Sequence, residues 1–372
     1  MHMNAEQRIW KALCYPHEEP DRVPTFTQSI EDPFIERFDE TIGINDYGLF
    51  PELTIDLLMA KNLGFDSKWV HLVGSMPPKR DQPETPPLPS DQVLGKDGKI
   101  HASSKDGKKR WYYDGALKTP ELVKAWIPYI KDYVAPDEAY YKAFKKTWEK
   151  GCENDIVPIP TAGAPTMDTW AAIGMRRFAF MTRKHPDLVT ALISAWCDVT
   201  IKEHTLIFEQ GIPYVFICDD HAQKERLMMS PADWERFVEP VYKRLANNAH
   251  KHGAKFLVHT DGNLNESFPG MYRAGVDAAE PLEYEAGMRL KPLKEKFGDK
   301  ITLIGNVPAS EALCIGSVDF VIEMTKQCIR DAARGGGLIL APGANILATA
   351  KVENVRAMIE TNKKYGIYPI RL

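Results

Sequence analysis

The chain has 372 residues, of which 44% are hydrophobic and 26% are charged, a composition typical of a globular protein with a large core. Its net charge of -4 and its lack of a polybasic run exclude a broad nucleic-acid-binding surface. We find no apolar run of membrane-spanning length and no signal-peptide pattern, so no membrane segment is expected. The 6 cysteines are scattered without a CxxC pair, which predicts reduced thiols in a cytoplasmic protein.

The first part of the chain predicts helices and strands in mixed order. In chain order we predict a helix at 6–13, a strand at 22–26, helices at 33–38 and 52–63, and a strand at 69–73. The helix at 6–13 lies ahead of the first strand, so we expect an N-terminal helical extension.

Residues 76–118 differ from the rest of the chain. Six prolines between 76 and 89 exclude a regular helix or a central strand there. Asp-Gly pairs at 97–98 and 106–107 predict turns, with short strands at 99–103 and 110–113. We therefore predict a proline-rich loop and a small β-meander inserted into the fold. The aromatic run that ends at Tyr113 either covers a ligand pocket or packs the meander onto the body of the protein.

After two predicted helices, at 119–126 and 137–150, strands and helices alternate regularly. The predicted strands lie at 156–160, 214–218, 255–258, 277–282, 301–304 and 338–340, and the main helices at 186–210, 230–252, 265–274, 291–297, 318–334 and 352–364. Such alternation predicts a parallel sheet, and with the two earlier strands the count is about eight. We therefore predict an α/β protein, a (β/α)8 TIM barrel, with 1–372 as a single domain. No GxGxxG lies between a strand and a helix, which argues against a dinucleotide-binding fold.

Polar side chains follow the predicted strands where each strand ends. In the segment 255–263, KFLVHTDGN, His259 and Asp261 are two residues apart, so they point to the same side if the strand continues. Active sites of barrels lie at the carboxyl ends of the strands, so these residues form one candidate group. The group comprises Asp219, Asp220, His221, His259, Asp261, Glu280, Glu283, Asn306 and Asn345.

The chemistry of this group leaves two interpretations open. Histidine and carboxylates suit zinc, with His259, Asp261, Glu280 and Glu283 as the candidate ligands. Alternatively, closely placed carboxylates raise each other's pKa, so that one of them stays protonated and acts as a general acid. A single aspartate after a strand is also a common helix cap or loop hydrogen-bond acceptor.

Several blocks of the sequence resemble the uroporphyrinogen decarboxylase superfamily. They are HTDGN at 259–263, PLEYEAGM at 281–288, IGNV at 304–307 and GGGLILAPGANI at 335–346, together with Asp219-Asp220 ahead of SPADWERFVEPVYKRL. The resemblance covers roughly 151–365 and is looser before that. It implies a (β/α)8 barrel with a pocket at the carboxyl ends of the strands.

The chain departs from two motifs of that superfamily. True decarboxylases carry an arginine-rich RQAGR motif near the N-terminus, which binds the carboxylates of the substrate. This chain reads PTFTQSIEDPF there and has no arginine, so that cationic binding site is missing. Thiol methyltransferases of the superfamily hold zinc through an HxC motif and a later cysteine. Here Asp261 and Ala344 stand at those two positions, while His259 is kept. The remaining similarity is to the methyltransferases of O-demethylase systems.

This resemblance implies a methyltransferase that moves a methyl group from a methoxylated aromatic to the cob(I)alamin of a partner corrinoid protein. The catalytic residues it implies are His259, Asp261, Asp219 and Glu283, with Glu280 and His221 as alternates. The substrate-binding residues are Asp220, His221, Asn306, Asn345 and Tyr113. Zinc is the implied metal, cobalamin is carried by the partner, and related barrels suggest a homodimer.

Three alternatives stay open at this point. The first is a porphyrinogen-type decarboxylase, and the second is a methylcobalamin-dependent thiol methyltransferase. The third is a barrel that binds a small ligand without turnover, which the alanine at 344 favours.

Overall fold

The computed structural model describes residues 2–42, 55–104 and 109–372. The beginning of the predicted helix at 52–63 and the predicted turn at 106–107 lie outside these ranges. The rest of that helix is observed as Ile55–Leu63.

The described residues form 11 strands. In chain order they are β1 Phe26–Thr27, β2 Ser67–His71, β3 Gln92–Leu94, β4 Lys99–Ser103, β5 Arg110–Gly115, β6 Val157–Thr161, β7 Tyr214–Cys218, β8 Lys255–His259, β9 Ala278–Glu280, β10 Thr302–Val307 and β11 Leu338–Pro342.

Eight of these strands form one parallel sheet that closes on itself. The order is β1-β2-β6-β7-β8-β9-β10-β11. Closure is visible between the first and last strands, where the backbone N–H of Leu340 donates to the carbonyl of Pro24 over 2.8 Å and Thr25 bridges Leu340 in parallel. The predicted (β/α)8 barrel is therefore confirmed.

Helices surround the barrel and connect its strands. In chain order they are α1 Ala5–Leu13, α2 Asp32–Ile42, α3 Ile55–Leu63, α4 Pro120–Lys131, α5 Glu138–Glu153, α6 Pro165–Ile173, α7 Met175–Lys184, α8 Pro186–Glu209, α9 Pro231–Phe237, α10 Glu239–Lys251, α11 Phe268–Ala274, α12 Leu290–Phe297, α13 Val318–Ala332 and α14 Val352–Tyr365. A 3-10 turn at Tyr284–Ala286 and a π-helical segment at Ala309–Ile315 complete the connections. In the described ranges, no helix combines the length and the hydropathy that a membrane span requires.

Several sequence-based boundaries are wrong, and three of them bear on the site. The helix predicted at 230–252 is two helices that meet at Val238, because Pro240 in the first turn of α10 has no N–H to continue the preceding helix. The strands predicted to end at 304 and 340 continue to Val307 and Pro342. There the ladder still pairs Asn306 with Ala341, although polar, Gly and Pro residues normally signal a strand end.

Strands β3, β4 and β5 form a separate antiparallel sheet outside the barrel. Three side chains attach it to the helices after β6: Lys99 pairs with Asp168 over 2.7 Å, Arg177 pairs with Asp114, and the Tyr112 hydroxyl donates to the carbonyl of Ala171 over 3.0 Å. The three-stranded sheet, residues 92–115, is therefore fixed against α6 and α7 close to the carboxyl ends of the barrel strands.

Aromatic side chains fill the interior of the barrel below those strand ends. Phe26, Trp69 and Phe216 are buried, and their ring centroids lie 5.4 to 6.5 Å apart. Contacts of this kind stabilise a core beyond the area that they bury. This packed cluster lies beneath the polar residues at the strand ends and supports them.

Candidate functional site at the carboxyl ends of the barrel strands

His259 is the last residue of β8, and its ring orientation is fixed by neighbouring strands. In the sheet it pairs with Cys218 at the end of β7 and with Glu280 at the end of β9. Its Nδ1 lies 2.6 Å from Oε2 of Glu280, whose other oxygen accepts a hydrogen bond from Gln28 over 2.6 Å. The imidazole and the Trp69 ring pack edge to face, with 4.9 Å between their centroids. The other ring nitrogen, Nε2, faces away from Glu280 and can transfer a proton or bind a metal.

Two carboxylates face Nε2 of His259. Its distances to the Oδ1 atoms of Asp220 and Asp261 are 3.8 and 3.7 Å. The backbone N–H of Asp261 donates to Asp220 over 3.1 Å, which ties the loop after β8 to the loop after β7. The His259 side chain is 8% exposed, whereas those of Asp220 and Asp261 are 29% and 53% exposed. The group therefore opens to a ligand from one side.

The acidic surroundings of His259 change its protonation. Burial lowers the pKa of the imidazole, but the Glu280 carboxylate, with Asp261 and Asp220 behind it, outweighs burial and raises the pKa to about 9. An imidazole in this environment carries a proton on Nε2 at neutral pH unless a metal replaces it.

The group also fits a metal ion. Asp220, His259 and Asp261 each offer one ligand atom, and these atoms all lie within 4.8 Å of one another. One imidazole nitrogen with two carboxylate oxygens suits zinc, and three protein ligands leave a coordination position open. Glu280 holds the other nitrogen of the imidazole, as the supporting carboxylate of a metal-bound histidine does.

The structure arranges the predicted zinc ligands differently from the sequence-based proposal. Glu280 bonds to Nδ1 of His259 and is fully buried, so it orients the imidazole and does not join the ligand group. Glu283 accepts the N–H of Gly262 over 3.0 Å and lies beside the group. Asp220, which the sequence suggested as a substrate contact, takes their place.

Glu283 and Asp219 are carboxyls whose pKa is raised to about 7. For Glu283 the causes are burial and then the charge of Asp261. For Asp219 the cause is burial, partly offset by the N–H of Met167, which donates to it over 2.7 Å. Glu283 adjoins the open group and suits a proton donor, whereas Asp219 is fully buried and anchors the first turn of α6.

Three of the four remaining predicted residues make hydrogen bonds within the protein. His221 is buried, with Nδ1 3.0 Å from the carbonyl of Asp219. Asn306 is buried and donates to the carbonyls of Leu282 and Met288. Asn345 accepts the N–H of Ser29 over 3.3 Å. Tyr113 is 58% exposed on the three-stranded sheet. The polar atoms of His221, Asn306 and Asn345 thus bond to backbone groups near the site. None of the four residues lines the cavity beside it.

A cavity of about 490 Å³ lies next to this group. Its floor comes from the ends of β2, β6 and β7, through His71, Thr161 and Cys218, and its walls from α6, α8 and the three-stranded sheet. Since Cys218 pairs with His259 in the sheet, the cavity and the group around His259 are neighbours along the rim. The volume falls within the range of small-molecule sites.

Sequence reasoning missed the polar residues of this cavity, chiefly Lys99, Asp168 and Glu203. A signal for Glu203 exists in the sequence, because it shares the apolar stripe of α8 with Trp196 and Val199. Nothing in the sequence signals that Lys99 and Asp168, 69 positions apart, would form a pair.

The fold and the site define a (β/α)8 barrel with a polar group and a cavity at the rim where this fold carries active sites. The chain belongs to the uroporphyrinogen decarboxylase (URO-D) family, whose sequence model matches residues 130–365. The resemblance drawn from the sequence blocks is thereby confirmed at the level of the family.

Two curated relatives are methylcobamide:CoM methyltransferases named MtaA, one from Methanosarcina barkeri strain Fusaro and one from Methanosarcina barkeri. Each is 24% identical over 193 residues, which are 52% of this chain and 54% of the relative. The chain thus spans about half the length of the curated relatives it matches.

Solved structures support the fold. A methyltransferase from Methanosarcina mazei superimposes with a TM-score of 0.67 at 21% identity, over 98% of this chain and 99% of that one. A B12-independent methionine synthase from Shewanella sp. W3-18-1 superimposes with a TM-score of 0.54 at 10% identity, over 92% and 97% of the two chains. At these identities the likeness concerns the barrel.

Proposed function

We propose that this protein is a corrinoid-dependent methyltransferase that demethylates an aromatic methyl ether, with a corrinoid protein as the methyl acceptor. The observation that carries the proposal is the group around Nε2 of His259, which opens beside a cavity of small-molecule size. The names of the MtaA relatives, methylcobamide:CoM methyltransferases, support methyl transfer with a cobamide. The missing arginine clamp speaks against decarboxylation of a polyacid.

The reaction needs an acid at the oxygen that leaves. The methyl–oxygen bond of the ether breaks as the methyl carbon bonds to the reduced cobalt of the corrinoid substrate, which supplies the electron pair. The oxygen keeps the pair of the broken bond and takes up a proton as a phenol. His259 donates that proton from Nε2, held in place by Glu280, and Glu283 is a second donor next to Asp261.

We propose further that Asp220, His259 and Asp261 hold zinc. When bound, zinc supplies Lewis-acid activation of the oxygen or of a thiol. Nε2 of His259 cannot both ligate a metal and carry a proton, so the metal content decides which role it has. In the zinc-bound protein, Glu283 is the remaining proton donor at the site.

Elemental analysis of untagged protein tests the zinc proposal. We expect about one zinc per chain, and a tenfold or greater loss of zinc affinity in Asp220→Asn and Asp261→Asn. Asp319→Asn, an exposed carboxylate at the start of α13, is the matched control and should keep the metal. Zinc-free protein that still transfers methyl groups would contradict the zinc site and leave His259 as the acid.

The transfer itself is tested by mixing the protein with reduced corrinoid protein and guaiacol. We expect the absorbance of methylcobalamin to appear and catechol to form in equal amount. Thiols and methylamines are tested in parallel, because the MtaA relatives are named for coenzyme M as a substrate. Absence of methylcobalamin with every methoxyarene and methylamine, and of methyl transfer to every thiol, would overturn the proposed function. The homodimer suggested by related barrels remains a separate prediction.

A further inference from the structure

The wall of the cavity beside His259 comes from the inserted three-stranded sheet and from α8, the long helix between β6 and β7. Its lining includes Asp97 and Lys99 from the three-stranded sheet and Trp196 and Glu203 from α8. Cys218 at the end of β7 connects it with the group around His259. The cavity therefore adjoins the strand end that carries His259, and its wall determines which ligands are accepted.

The cationic charge in the cavity is already paired. Lys99 is the one lysine or arginine among the described residues that line it. Its ammonium lies 2.7 Å from Asp168 and 3.0 Å from Asp97. Burial lowers the pKa of this lysine, but the two carboxylates outweigh burial and raise it, so the ammonium stays charged. A ligand carboxylate would have to compete with both aspartates for it.

A third acid in the cavity wall, Glu203, has no cationic partner among the residues that the structure describes. Glu203 is 3% exposed, and its carboxyl accepts the backbone N–H of Ser75. Burial raises its pKa. His71 cannot balance it, because burial and then the charge of Lys68 lower the pKa of that imidazole. Across the described lining, three carboxyls thus face one ammonium, so a carboxylate on a ligand would be buried without a counter-charge.

The cavity does offer contacts to an uncharged polar ring. Trp196 is 94% buried, and its indole N–H has no hydrogen-bond partner among the described residues. The Ser75 hydroxyl is likewise buried without one. Tyr133 packs edge-on against Trp196 at 5.1 Å between ring centroids. These donors and rings suit an aromatic ligand with hydroxyl or ether oxygens.

We propose that the cavity binds the methyl donor as an uncharged, hydroxylated aromatic ether and excludes carboxylated ones, with Glu203 as the residue that determines this specificity. The inference rests on the proposed function and narrows its substrate class. It follows from the paired state of Lys99, the buried carboxyl of Glu203 and the unpaired donor of Trp196.

Three ligands that differ at a single substituent test the proposal. They are 4-hydroxy-3-methoxybenzyl alcohol, the corresponding benzoate, and the methyl ester of that benzoate, each titrated calorimetrically into the full chain at pH 7.5. We expect the alcohol to bind at least tenfold more tightly than the benzoate. The ester, which restores neutrality at similar size, should bind within about threefold of the alcohol.

The Glu203→Gln variant tests whether Glu203 causes the preference for the alcohol over the benzoate. It keeps a hydrogen-bonding side chain and removes the acid, so the preference for the alcohol over the benzoate should fall at least threefold. Glu209→Gln, an exposed glutamate at the end of the same helix, is the matched control and should keep the wild-type preference. The wild-type comparison of alcohol, benzoate and ester is valid even if Glu203→Gln does not fold.

The outcomes separate this inference from the proposed function. Benzoate binding as tightly as the alcohol, or no binding of any of the three, overturns the inference. Demethylation of the benzoate at a lower KM than the alcohol overturns it too, while methyl transfer to the corrinoid protein would stand. The expected order of binding without any methyl transfer would support the selectivity and overturn the proposed function.

Discussion

The orientation and the pKa of His259 depend on the residues that contact it. The sequence placed His259 and Asp261 on one side on the condition that the strand continued. β8 ends at His259, and the loop after it brings the Asp261 carboxylate to 3.7 Å from Nε2. The sequence could not show that Glu280 would hold Nδ1, since that contact depends on the register of two adjacent strands. The register of β7 and β8, which pairs Cys218 with His259, likewise brings Asp220 to 3.8 Å from Nε2, and the sequence-based ligand set did not include Asp220.

Replacing Glu280 by Gln should affect His259 first. Removing the anion at Nδ1 should lower the pKa of the imidazole from about 9 towards its ordinary value, and methyl transfer should fall about 10- to 100-fold. The pKa is followed by NMR titration of the zinc-free protein, and turnover by methylcobalamin absorbance.

Glu295→Gln, an exposed glutamate on α12, is the control for the change at Glu280. It should leave the imidazole titration and the turnover unchanged. Full turnover in the Glu280 variant would show that the carboxylate beside Nδ1 is not needed for catalysis.

The order of the helices and strands could be predicted from the sequence, whereas the contacts between distant elements could not. β7 was predicted with its observed ends, Tyr214–Cys218, because five apolar residues stop at an Asp-Asp pair. The break between α9 and α10 was missed since SPADWERFVEPVYKRL reads as continuous helix around Pro240. The contact of the three-stranded sheet with α6 has no local signal, because it depends on a salt bridge between distant segments.

Breaking the Lys99–Asp168 pair should loosen that contact. Both side chains are 19% exposed, so Lys99→Met, which leaves Asp168 unpaired, should cost about 2–3 kcal/mol of unfolding free energy, somewhat less than for a fully buried pair. The double variant Lys99→Met/Asp168→Asn should recover part of the loss. Urea unfolding provides the measurement.

Lys142→Met is the matched control for Lys99→Met. It breaks a pair with Glu138 in which both side chains are more than half exposed, and it should cost at most about 0.5 kcal/mol. Equal costs for the two lysines would contradict a structural role of the Lys99 pair.

Buried titratable groups make the stability of the whole molecule depend on pH. His204 on α8 is fully buried, and its Nε2 donates to the carbonyl of Ala162 over 2.9 Å. Burial lowers the pKa of this imidazole to about 4. Between pH 6.5 and 4 the unfolded chain therefore binds a proton that the folded chain does not, and stability falls as the pH falls through that window.

His204→Gln should remove this contribution. The side chain keeps a donor for Ala162 but does not titrate, so the variant should lose about 3 kcal/mol less than the wild type between pH 6.5 and 4. The free energy of unfolding in urea is compared at several pH values. His252→Gln, an exposed histidine after α10, should keep the full wild-type decline, and an unchanged decline in His204→Gln would refute the assignment.

The inserted sheet at 92–115 has a consequence for how such a protein can diversify. The group around His259 is built from barrel strand ends and the loops after them, whereas Asp97 and Lys99 of the insert supply part of the neighbouring cavity wall. Part of the wall that surrounds a ligand thus lies outside the barrel, while Glu203 and the reacting groups lie on barrel elements. Exchange of the inserted segment would alter the substrate range of such a barrel while the group around His259 stays the same.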